Sequence, residues 1–433
     1  MFSKKDINKA IHYIKNQGPW VLLGRSFLMT TGLILSIILT RMMTKDEYGE
    51  YQYILSILTI FGFLSLPAST NVLIRYYGQG YHWSYISLFF LRVKSSLLGV
   101  ILFLCMAIYS YYINDIYFAI VFLVFSICFP LFYSCDLFEY LLQSVMNYKK
   151  LNLYYIVRES IRFIMIIFTY WLSGTIALTI IVYILSITII NSWSYYKIKK
   201  DYLIEYKNIE NNVQKKMHTM AINLSLVGIF LLVTSQIDKI LIAKYIDMES
   251  LAIYSIGMLI GMSINMFFKS ILSIFNAKLV NHKVSFGNYL IIFIAGSISG
   301  WLLTYIMSYT IDLIYGNAYR LSATYANIVL LSLGVHLVST LYHSNFLFYY
   351  NKSEKIIYAG QISISSILIL LISTFIVIPV ENEVKLLLLS LMYPIKSVLI
   401  IIIFSIVEKY FERKLVQQYI KASFFKLLHR KNY

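Results

Sequence analysis

The segment Gln236–Ser255, QIDKILIAKYIDMESLAIYS, indicates how the whole chain is built. It begins inside a long apolar run, leaves that run at Lys244, crosses a short polar turn and re-enters apolar sequence. The same layout occurs 203 positions earlier in Ile38–Tyr53, ILTRMMTKDEYGEYQY, where Arg41 corresponds to Lys244. Because this offset is close to half the chain, the single echo predicts two similar halves.

The composition is typical of a membrane protein. The 433 residues are 59% hydrophobic and only 13% charged, whereas soluble proteins are about a quarter charged. Apolar runs of roughly 20 residues recur along the chain, and each is long enough to cross a bilayer as a helix. The strands of a β-barrel would be about ten residues long and alternating in polarity, and that pattern is not seen. We therefore expect an all-α polytopic membrane protein.

Twelve transmembrane helices are predicted, six in an N-terminal half (1–205) and six in a C-terminal half (206–433). Their expected bounds are 20–40, 50–73, 88–111, 117–144, 153–172, 175–196, 219–243, 250–276, 286–310, 322–349, 356–378 and 385–407. Prolines within these spans can kink a helix, and they are Pro67, Pro130 and Pro394.

The charge distribution predicts the orientation in the membrane. With the N-terminus inside, the predicted inner segments carry 24 lysines and arginines and the outer loops carry 5, as the positive-inside rule requires. Both termini are therefore expected in the cytoplasm. The net charge of +17 is sorted by membrane side, so it does not indicate nucleic-acid binding. The tail 408–433 is basic and interspersed with apolar residues, which favours an amphipathic helix on the inner leaflet over a solvated tail.

One group of charges lies around the predicted inner turn between the fourth and fifth spans. Asp136 and Glu139 precede the turn, and Arg158, Glu159 and Arg162 follow it. Counting outward from the turn places Asp136 level with Arg162 and Glu139 level with Arg158. The spacings of three and four residues keep each set on one helix face. We expect two structural ion pairs that neutralise one another.

The other charges inside the predicted spans are mainly basic. Arg92 lies near the inner surface, where a long side chain can reach the headgroups. Arg25, Lys269 and Lys396 lie deeper, with Lys396 close to mid-span, and intramembrane charge usually faces a cavity or a partner. These three residues predict a cationic cavity for an anionic ligand. The alternative is scattered pairing with acids and carbonyls of neighbouring helices.

Four further residues are candidates for ion coupling. Asp238 and Lys239 are adjacent on the seventh predicted span, so they point in different directions and need not pair. His336 and His343 are two turns apart on the tenth, so they share a face, and histidine can carry protons near neutral pH. A histidine hydrogen-bonded in the core is the alternative reading.

No feature of the sequence indicates an enzyme. There is no soluble catalytic domain, no phosphate-binding loop, no metal-ligand cluster and no cofactor motif, and the longest predicted outer loops have about a dozen residues. A membrane-embedded glycan polymerase or acyltransferase normally needs a large outer loop or a catalytic His/Arg pair.

Three segments resemble Wzx-type polysaccharide flippases of the multidrug/oligosaccharidyl-lipid/polysaccharide exporter superfamily. They are TRMMTKDEYGEYQY (40–53), QIDKILIAKY (236–245) and AIYSIG (252–257). The resemblance implies two six-helix lobes related by a pseudo-two-fold axis along the membrane normal, with a cavity between them. It also implies that the basic residues Arg25, Lys269 and Lys396 meet a lipid diphosphate or an acidic sugar.

The implied function is to move polyprenyl-diphosphate-linked oligosaccharide units from the inner to the outer leaflet of the cytoplasmic membrane, for O-antigen, capsule or exopolysaccharide assembly. A polysaccharide polymerase and a chain-length regulator are the implied protein partners, and membrane lipid surrounds the chain. An ion-coupled multidrug antiporter of the same superfamily is the main alternative, although it would favour acidic, aromatic cavity walls. A lipid II flippase typically has two extra spans.

Overall fold

The computed structural model describes residues 4–206, 209–273, 286–348 and 354–429, and every regular element in these ranges is a helix. In chain order the α-helices are α1 (Lys4–Met42), α2 (Lys45–Phe61), α3 (Ser69–Gly78), α4 (Ser84–Tyr112), α5 (Ile116–Ser134), α6 (Leu137–Ser144), α7 (Tyr148–Ser173), α8 (Ile176–Asp201), α9 (Asn211–Tyr245), α10 (Met248–Ser273), α11 (Phe286–Tyr315), α12 (Ser322–Leu331), α13 (Leu333–Phe348), α14 (Glu354–Val377) and α15 (Asn382–His429). Short 3₁₀ turns occupy Gly62–Ser65 and Asn317–Tyr319.

The helices are those of a multi-pass membrane protein. Among the described residues, eight helices are long and apolar enough to cross a bilayer, or ten if each of two bent pairs forms one span. Two of the expected spans fall outside this set. The first coincides with a shorter apolar stretch of α1, Ser26–Met42, and the fifth coincides with α7, which carries Arg158, Glu159 and Arg162 in its middle.

The two echoed segments have the same local structure. The helix α2 begins after Thr44, whose hydroxyl accepts from the Glu47 amide while the Glu47 carboxylate accepts from the Thr44 amide at 2.7 Å. This reciprocal arrangement is a capping box. At the equivalent position 203 residues later, the Asp247 carboxylate accepts from the Ser250 amide at 2.6 Å where α10 begins. The sequence echo therefore marks two helix–turn–helix units, each capped at the same place.

These two turns join the halves at one end of the molecule. A Cβ atom on Gly49 would overlap the backbone carbonyl of Met248, so α2 and α10 approach each other as closely as only glycine permits. The Lys45 ammonium lies 2.5 Å from the Glu249 carboxylate across the same contact. The end that is expected to face outward is thus closed between the halves.

The helix pairs that bend do so at identifiable breaks. The segments Lys45–Ser65 and Ser69–Gly78 are bent by 45° around Leu66, whose φ of 54° is left-handed, followed by Pro67. This bend brings the Ala68 amide to 3.2 Å from the Ser225 hydroxyl on α9. The second bent pair, α12 and α13, turns by 48°. Pro130 and Pro394, by contrast, lie inside α5 and α15 without a break.

Helix neighbours in the N-terminal half recur in the C-terminal half. In the first half α1 packs on α7, α4 on α5, α5 on α8, and α7 on α8. In the second half α9 packs on α14, α11 on α12 and α13, α13 on α15, and α14 on α15. A buried apolar cluster includes residues of both halves, from Leu39 and Ile54 to Leu251 and Ile364. The helix α15 continues to His429, but the side chains of the predicted basic tail 408–433 lie outside the described residues.

Candidate functional site

Arg92 on α4 is a fully enclosed cation with a complete set of partners. Its side chain is 1% exposed, and its guanidinium binds both carboxylate oxygens of Asp136, at 2.5 and 3.4 Å. Its Nε donates to the Ser65 carbonyl at 3.0 Å. Bidentate arginine–carboxylate pairs are among the strongest charge-assisted interactions. Its position in the sequence suggested that Arg92 reaches the headgroups, and this expectation is wrong. Arg92 instead holds α4 to the junction between α5 and α6.

A second group of ion pairs joins α6 to α7. Arg158 contacts the Glu139 carboxylate through one terminal nitrogen and Glu159 through Nε at 3.2 Å. Arg162 contacts the other oxygen of Glu159. Tyr155 donates to Glu139 at 2.9 Å. Together with Arg92 and Asp136, this half contains three arginines matched by three carboxylates.

Of the two ion pairs predicted from the hairpin, Glu139–Arg158 is present, and Asp136–Arg162 is wrong because Asp136 pairs with Arg92. The predicted register assumed one continuous helix before the turn, whereas the helix is interrupted between Ser134 and Leu137. The interruption directs Asp136 toward α4, which packs along α5.

A cavity of about 310 Å³ lies within the C-terminal half. Its walls come from α9, α10, α13, α14 and α15, and they include the half-buried lysines Lys269 and Lys396. Within the described parts of the chain, no carboxylate forms an ion pair with either lysine. Neither ammonium group therefore has a direct ion-pair partner among the described residues, and the Asp238 carboxylate acts on Lys396 only at longer range.

Polar atoms without partners also line this cavity. His336 is 2% exposed, its Nδ1 is hydrogen-bonded to the Ser397 hydroxyl, and its Nε2 has no partner within the described protein. The hydroxyl of Ser365, which is completely buried, likewise has no partner there. A buried polar group left unsatisfied costs about 1–3 kcal/mol. Both atoms have almost no accessible surface, so each carries this cost in the described structure.

A second cavity, of about 360 Å³, is lined mainly by α9 and α10 and reaches the N-terminal half at Gln52 on α2, so we call it the cavity between the halves. Asp238 and Lys239 on α9 are among its lining residues. Lys269 and Tyr393 line both this cavity and the one inside the C-terminal half. The two cavities are therefore neighbours that share part of their walls.

Asp238 has a hydrogen-bond donor from the next helix. The Tyr254 hydroxyl donates to the Asp238 carboxylate at 2.7 Å, and the other carboxylate oxygen accepts from the Lys239 amide at 2.9 Å. The side chains of Asp238 and Lys239 form no ion pair with each other in the described structure. Both face the cavity between the halves, so each is accessible to a ligand there.

The structure brings together part of the predicted site. Lys269 and Lys396 share the cavity within the C-terminal half, and Lys269 also lines the adjoining cavity, so the position of Lys396 between the halves stays a prediction. Arg25 lies on α1 and His343 on α13, but both side chains lie outside the described residues. The face shared by His336 and His343 stays a prediction.

Sequence reasoning missed the neutral members of this cavity wall. Tyr393, Ser397 and Ile400 lie three or four positions from Lys396 or from one another on α15, and residues at this spacing share a helix face. That spacing was a usable signal around Lys396. Ser365 had no comparable signal, because many hydroxyl residues in these helices donate to their own backbone.

Comparison with solved structures identifies the fold. The lipid II flippase MurJ in an inward closed conformation has a TM-score of 0.63 at 13% identity, covering 89% of this chain and 87% of that chain. A multidrug resistance transporter of the MATE family, in an inward-facing conformation and of the MOP superfamily, has a TM-score of 0.63 at 9% identity, covering 90% and 98%. A MATE transporter of Vibrio cholerae has a TM-score of 0.56 at 12% identity, covering 93% and 97%.

At these identities the likeness shows that the chain shares the fold of these proteins and nothing further. A search of curated proteins finds no significant match. A family model described as polysaccharide biosynthesis protein matches residues 17–275, which is more than half of the chain. The chain therefore belongs to the polysaccharide biosynthesis protein family.

Proposed function

We propose that this protein moves polyprenyl-diphosphate-linked oligosaccharide units from the inner to the outer leaflet of the cytoplasmic membrane for assembly of a surface polysaccharide. The observation that carries the proposal is the pair of ammonium groups of Lys269 and Lys396, which line a cavity within apolar helices and have no ion-pair partner among the described residues. A charge at the centre of a membrane helix costs roughly 2.5–3.5 kcal/mol on insertion scales. An anionic ligand would supply the missing countercharge.

The substrate class follows from what cannot cross the bilayer unaided. A diphosphate is charged and an oligosaccharide is polar, whereas the polyprenyl chain is compatible with lipid. A transporter of this fold can hold the headgroup between its halves while the lipid tail stays in the membrane, and rocking of the halves then exposes the headgroup to the other side. The family of the chain is consistent with this substrate.

The proposed architecture is twelve spans in two six-helix lobes, 1–205 and 206–433, related by a pseudo-two-fold axis along the membrane normal. The recurring helix neighbours of the two halves support this arrangement, as do the helix caps at Thr44 and Asp247. Both termini would lie in the cytoplasm, which the charge distribution supports. Cysteine labelling from outside should then reach position 45 and not position 199.

We assign ion coupling to Asp238 rather than to His336. Asp238 and Lys239 line the cavity between the halves, where a change of access would alter their surroundings. His336 shares its cavity with two ammonium groups, and like charges disfavour a third cation there. His336 therefore acts as a neutral hydrogen-bonding group. A part for His343 in ion coupling remains a prediction from its spacing to His336.

An ion-coupled multidrug antiporter is the competing function on the same fold. Its substrates are commonly cationic, and a cavity with Lys269 and Lys396 would repel them. A glycan polymerase or acyltransferase is the enzymatic alternative, and no feature of the described cavities favours it. A polysaccharide polymerase and a chain-length regulator would be partners of the proposed flippase, since the delivered units must be joined outside the cell.

The test measures surface glycan in a strain that lacks its own flippase. Lys396→Ala should abolish surface glycan at a normal protein level, and Lys396→Arg should retain part of it because it keeps the charge. Lys215→Ala removes an exposed lysine at the start of α9 and should leave display unchanged. Full glycan display by Lys396→Ala and by Lys269→Ala, at matched protein levels, would remove the cationic cavity from the mechanism.

A further inference from the structure

The two halves touch at the end of the molecule where α1 passes into α2 and α9 passes into α10, which is the outer end in the proposed orientation. Polar interactions cross between the halves there, and we call them together the outer contact. Its members are Ser36, Arg41 and Lys45 of the N-terminal half and Glu249, Leu313, Ile314 and Tyr315 of the C-terminal half. These interactions differ in burial and in chemistry, so they differ in how firmly they hold the halves together.

Arg41, in the last turn of α1, binds the carboxyl end of α11. Its Nη2 donates to the carbonyl oxygens of Ile314 at 2.9 Å and Leu313 at 3.3 Å, and its Nε donates to that of Ile314 at 3.2 Å. The last carbonyls of a helix have no amide donors within the helix, and this end carries a partial negative charge. The guanidinium therefore supplies both the missing donors and the opposite charge.

The second interaction of the outer contact is buried and neutral. The Ser36 hydroxyl donates to the Leu33 carbonyl at 2.7 Å. The Tyr315 hydroxyl lies 2.8 Å from Ser36 Oγ, so Tyr315 is the donor in this pair. A hydrogen bond between neutral groups is weaker than one from a charged donor, and this pair therefore assists the fork of Arg41.

The third interaction is an ion pair at the surface. The Lys45 ammonium lies 2.5 Å from the Glu249 carboxylate, and their side chains are 28% and 52% exposed. Exposed ion pairs contribute little to the stability of a contact, because water and salt screen them. This pair therefore adds little to what the other interactions supply.

The position that corresponds to Arg41 in the other half is used differently. At the offset of 203 positions Arg41 corresponds to Lys244, and the end of α11 at Tyr315 corresponds to the end of α4 at Tyr112. Full symmetry of the halves would place Lys244 at the end of α4. Its ammonium instead lies 5.5 Å from the centre of the Tyr245 ring. In the described structure the cap is therefore one-sided, and the Arg41 side alone supplies it.

The acceptors of Arg41 are main-chain oxygens of α11. They carry no proton that could titrate, and they cannot rotate away as a side chain can. Arginine also keeps its charge at every pH a protein encounters. The interaction is therefore lost only when α1 and α11 move apart, and that movement opens this end of the molecule.

We propose that Arg41 is the positioning residue that holds the halves together at the outer end, by capping the carboxyl end of α11, and that it is released when this end opens. Tyr315 assists it from the buried side. This role rests on the proposed function only for the movement of the halves, and it does not depend on the cargo.

The experiment measures the distance between the halves by electron paramagnetic resonance on the purified full chain in nanodiscs. The three native cysteines are replaced by alanine. Spin labels are attached to Tyr117→Cys at the start of α5 and Thr324→Cys near the start of α12, two exposed positions at the outer end of different halves. Opening of this end should add a population at longer distance.

The variants should shift this population in a fixed order. Arg41→Ala should raise the ratio of longer to shorter distances about five- to tenfold, as expected for loss of a cation and its hydrogen bonds at a helix end. Arg41→Lys should give a smaller rise, because an ammonium keeps the charge without the planar fork. Tyr315→Phe should raise the ratio about threefold, and Lys45→Ala less than about twofold. Lys244→Ala is the matched control and should leave the ratio unchanged.

A purely structural cap would give a different result. Arg41→Ala would then lower the unfolding temperature and leave the distances unchanged, and the proposed role would be wrong. Equal shifts in Arg41→Ala and Lys244→Ala would also overturn it. Ser87→Ala removes a 2.8 Å contact with His218 between α4 and α9, at the opposite end of the molecule, so an equal shift in that variant would mean general loosening and would contradict the role of Arg41.

Surface glycan separates this role from the proposed function. Longer distances in Arg41→Ala, together with full glycan display by Lys269→Ala and Lys396→Ala, would leave the outer contact standing and remove the proposed function. Unchanged distances in Arg41→Ala, together with loss of display in the two lysine variants, would remove the role of Arg41 and leave the proposed function standing.

Discussion

In the N-terminal half, Arg92, Arg158 and Arg162 each contact a carboxylate, whereas in the C-terminal half Lys269 and Lys396 line a cavity without an ion-pair partner among the described residues. The two halves have corresponding helix neighbours, so the difference arises from side chains rather than from the arrangement of helices. A buried charge that is paired with an opposite charge of the protein stabilises the fold. Charge that is left unmatched at a cavity is available to a ligand.

The comparison also separates two physical roles of burial. Removing one member of a buried ion pair leaves the other charge uncompensated, which costs about 3–5 kcal/mol, while replacing both members by apolar residues is often neutral. Removing an unmatched charge relieves a cost. The halves should therefore respond in opposite directions to the same kind of substitution, and the predictions below run from the largest expected effect on stability to the smallest.

The largest effect is expected at Arg92. Arg92→Ala should lower the free energy of unfolding by about 3–5 kcal/mol, because Asp136 is left without its countercharge. The double variant Arg92→Met with Asp136→Leu should recover most of this loss. Unfolding of the purified protein by heat or denaturant measures both, with the exposed Lys94→Ala on the same helix as the control. An Arg92→Ala protein as stable as Lys94→Ala would contradict the structural role of the pair.

A smaller loss is expected at Glu139. Glu139→Gln should lower the free energy of unfolding by about 1–3 kcal/mol, because Arg158 keeps Glu159 and the Asn191 side-chain oxygen at 3.4 Å. The same unfolding assay measures the change. A loss as large as that of Arg92→Ala would indicate that Glu159 does not compensate Arg158.

In the C-terminal half, substitution of a charged residue should raise the free energy of unfolding instead of lowering it. Lys269→Met and Lys396→Met should each raise the free energy of unfolding by about 1 kcal/mol, a fraction of the cost of a fully membrane-buried charge, because both lysines are only half-buried. The measurement is unfolding in the absence of phosphate. A drop of several kcal/mol would show that the lysines are paired as structural residues, as the arginines are.

The smallest effect is expected at the surface between α7 and α8. Lys150 lies 2.7 Å from Asp201, and its hydrogen bond lowers the pKa of the Asp201 carboxyl. Asp201→Asn should nevertheless cost less than about 1 kcal/mol, because the pair is solvent-exposed. The contribution of a carboxyl with a lowered pKa is present at neutral pH and is lost as the pH falls below about 4. A stability difference that grows on acidification would contradict this assignment.

The helices could largely be predicted because they depend on local sequence. The apolar runs and the echo around Thr44 and Asp247 carry that information within short segments. The breaks could not be predicted as reliably. Pro67 marks a bend only together with the left-handed Leu66, while Pro394 lies inside a continuous helix, so proline alone does not determine where the chain turns.

The charged residues of the site could be predicted from the sequence, but the residues that they contact could not. The depth of Lys396 in an apolar run is a local property, and it led to the cavity. The pairing of Arg92 with Asp136 links positions on α4 and at the end of α5, and it depends on how these helices pack. The division into a cavity within one half and a cavity between the halves likewise depends on tertiary contacts, since Lys269 belongs to both.

One measurement compares the halves directly: surface glycan and unfolding stability of two charge-neutralised double variants, in the flippase-lacking strain and as purified proteins. Arg92→Met with Asp136→Leu should keep both glycan display and stability close to those of the parent. Lys269→Met with Lys396→Met should lose glycan display while its stability is unchanged or raised. Loss of display in the first variant together with full display in the second, at equal protein levels, would contradict the account.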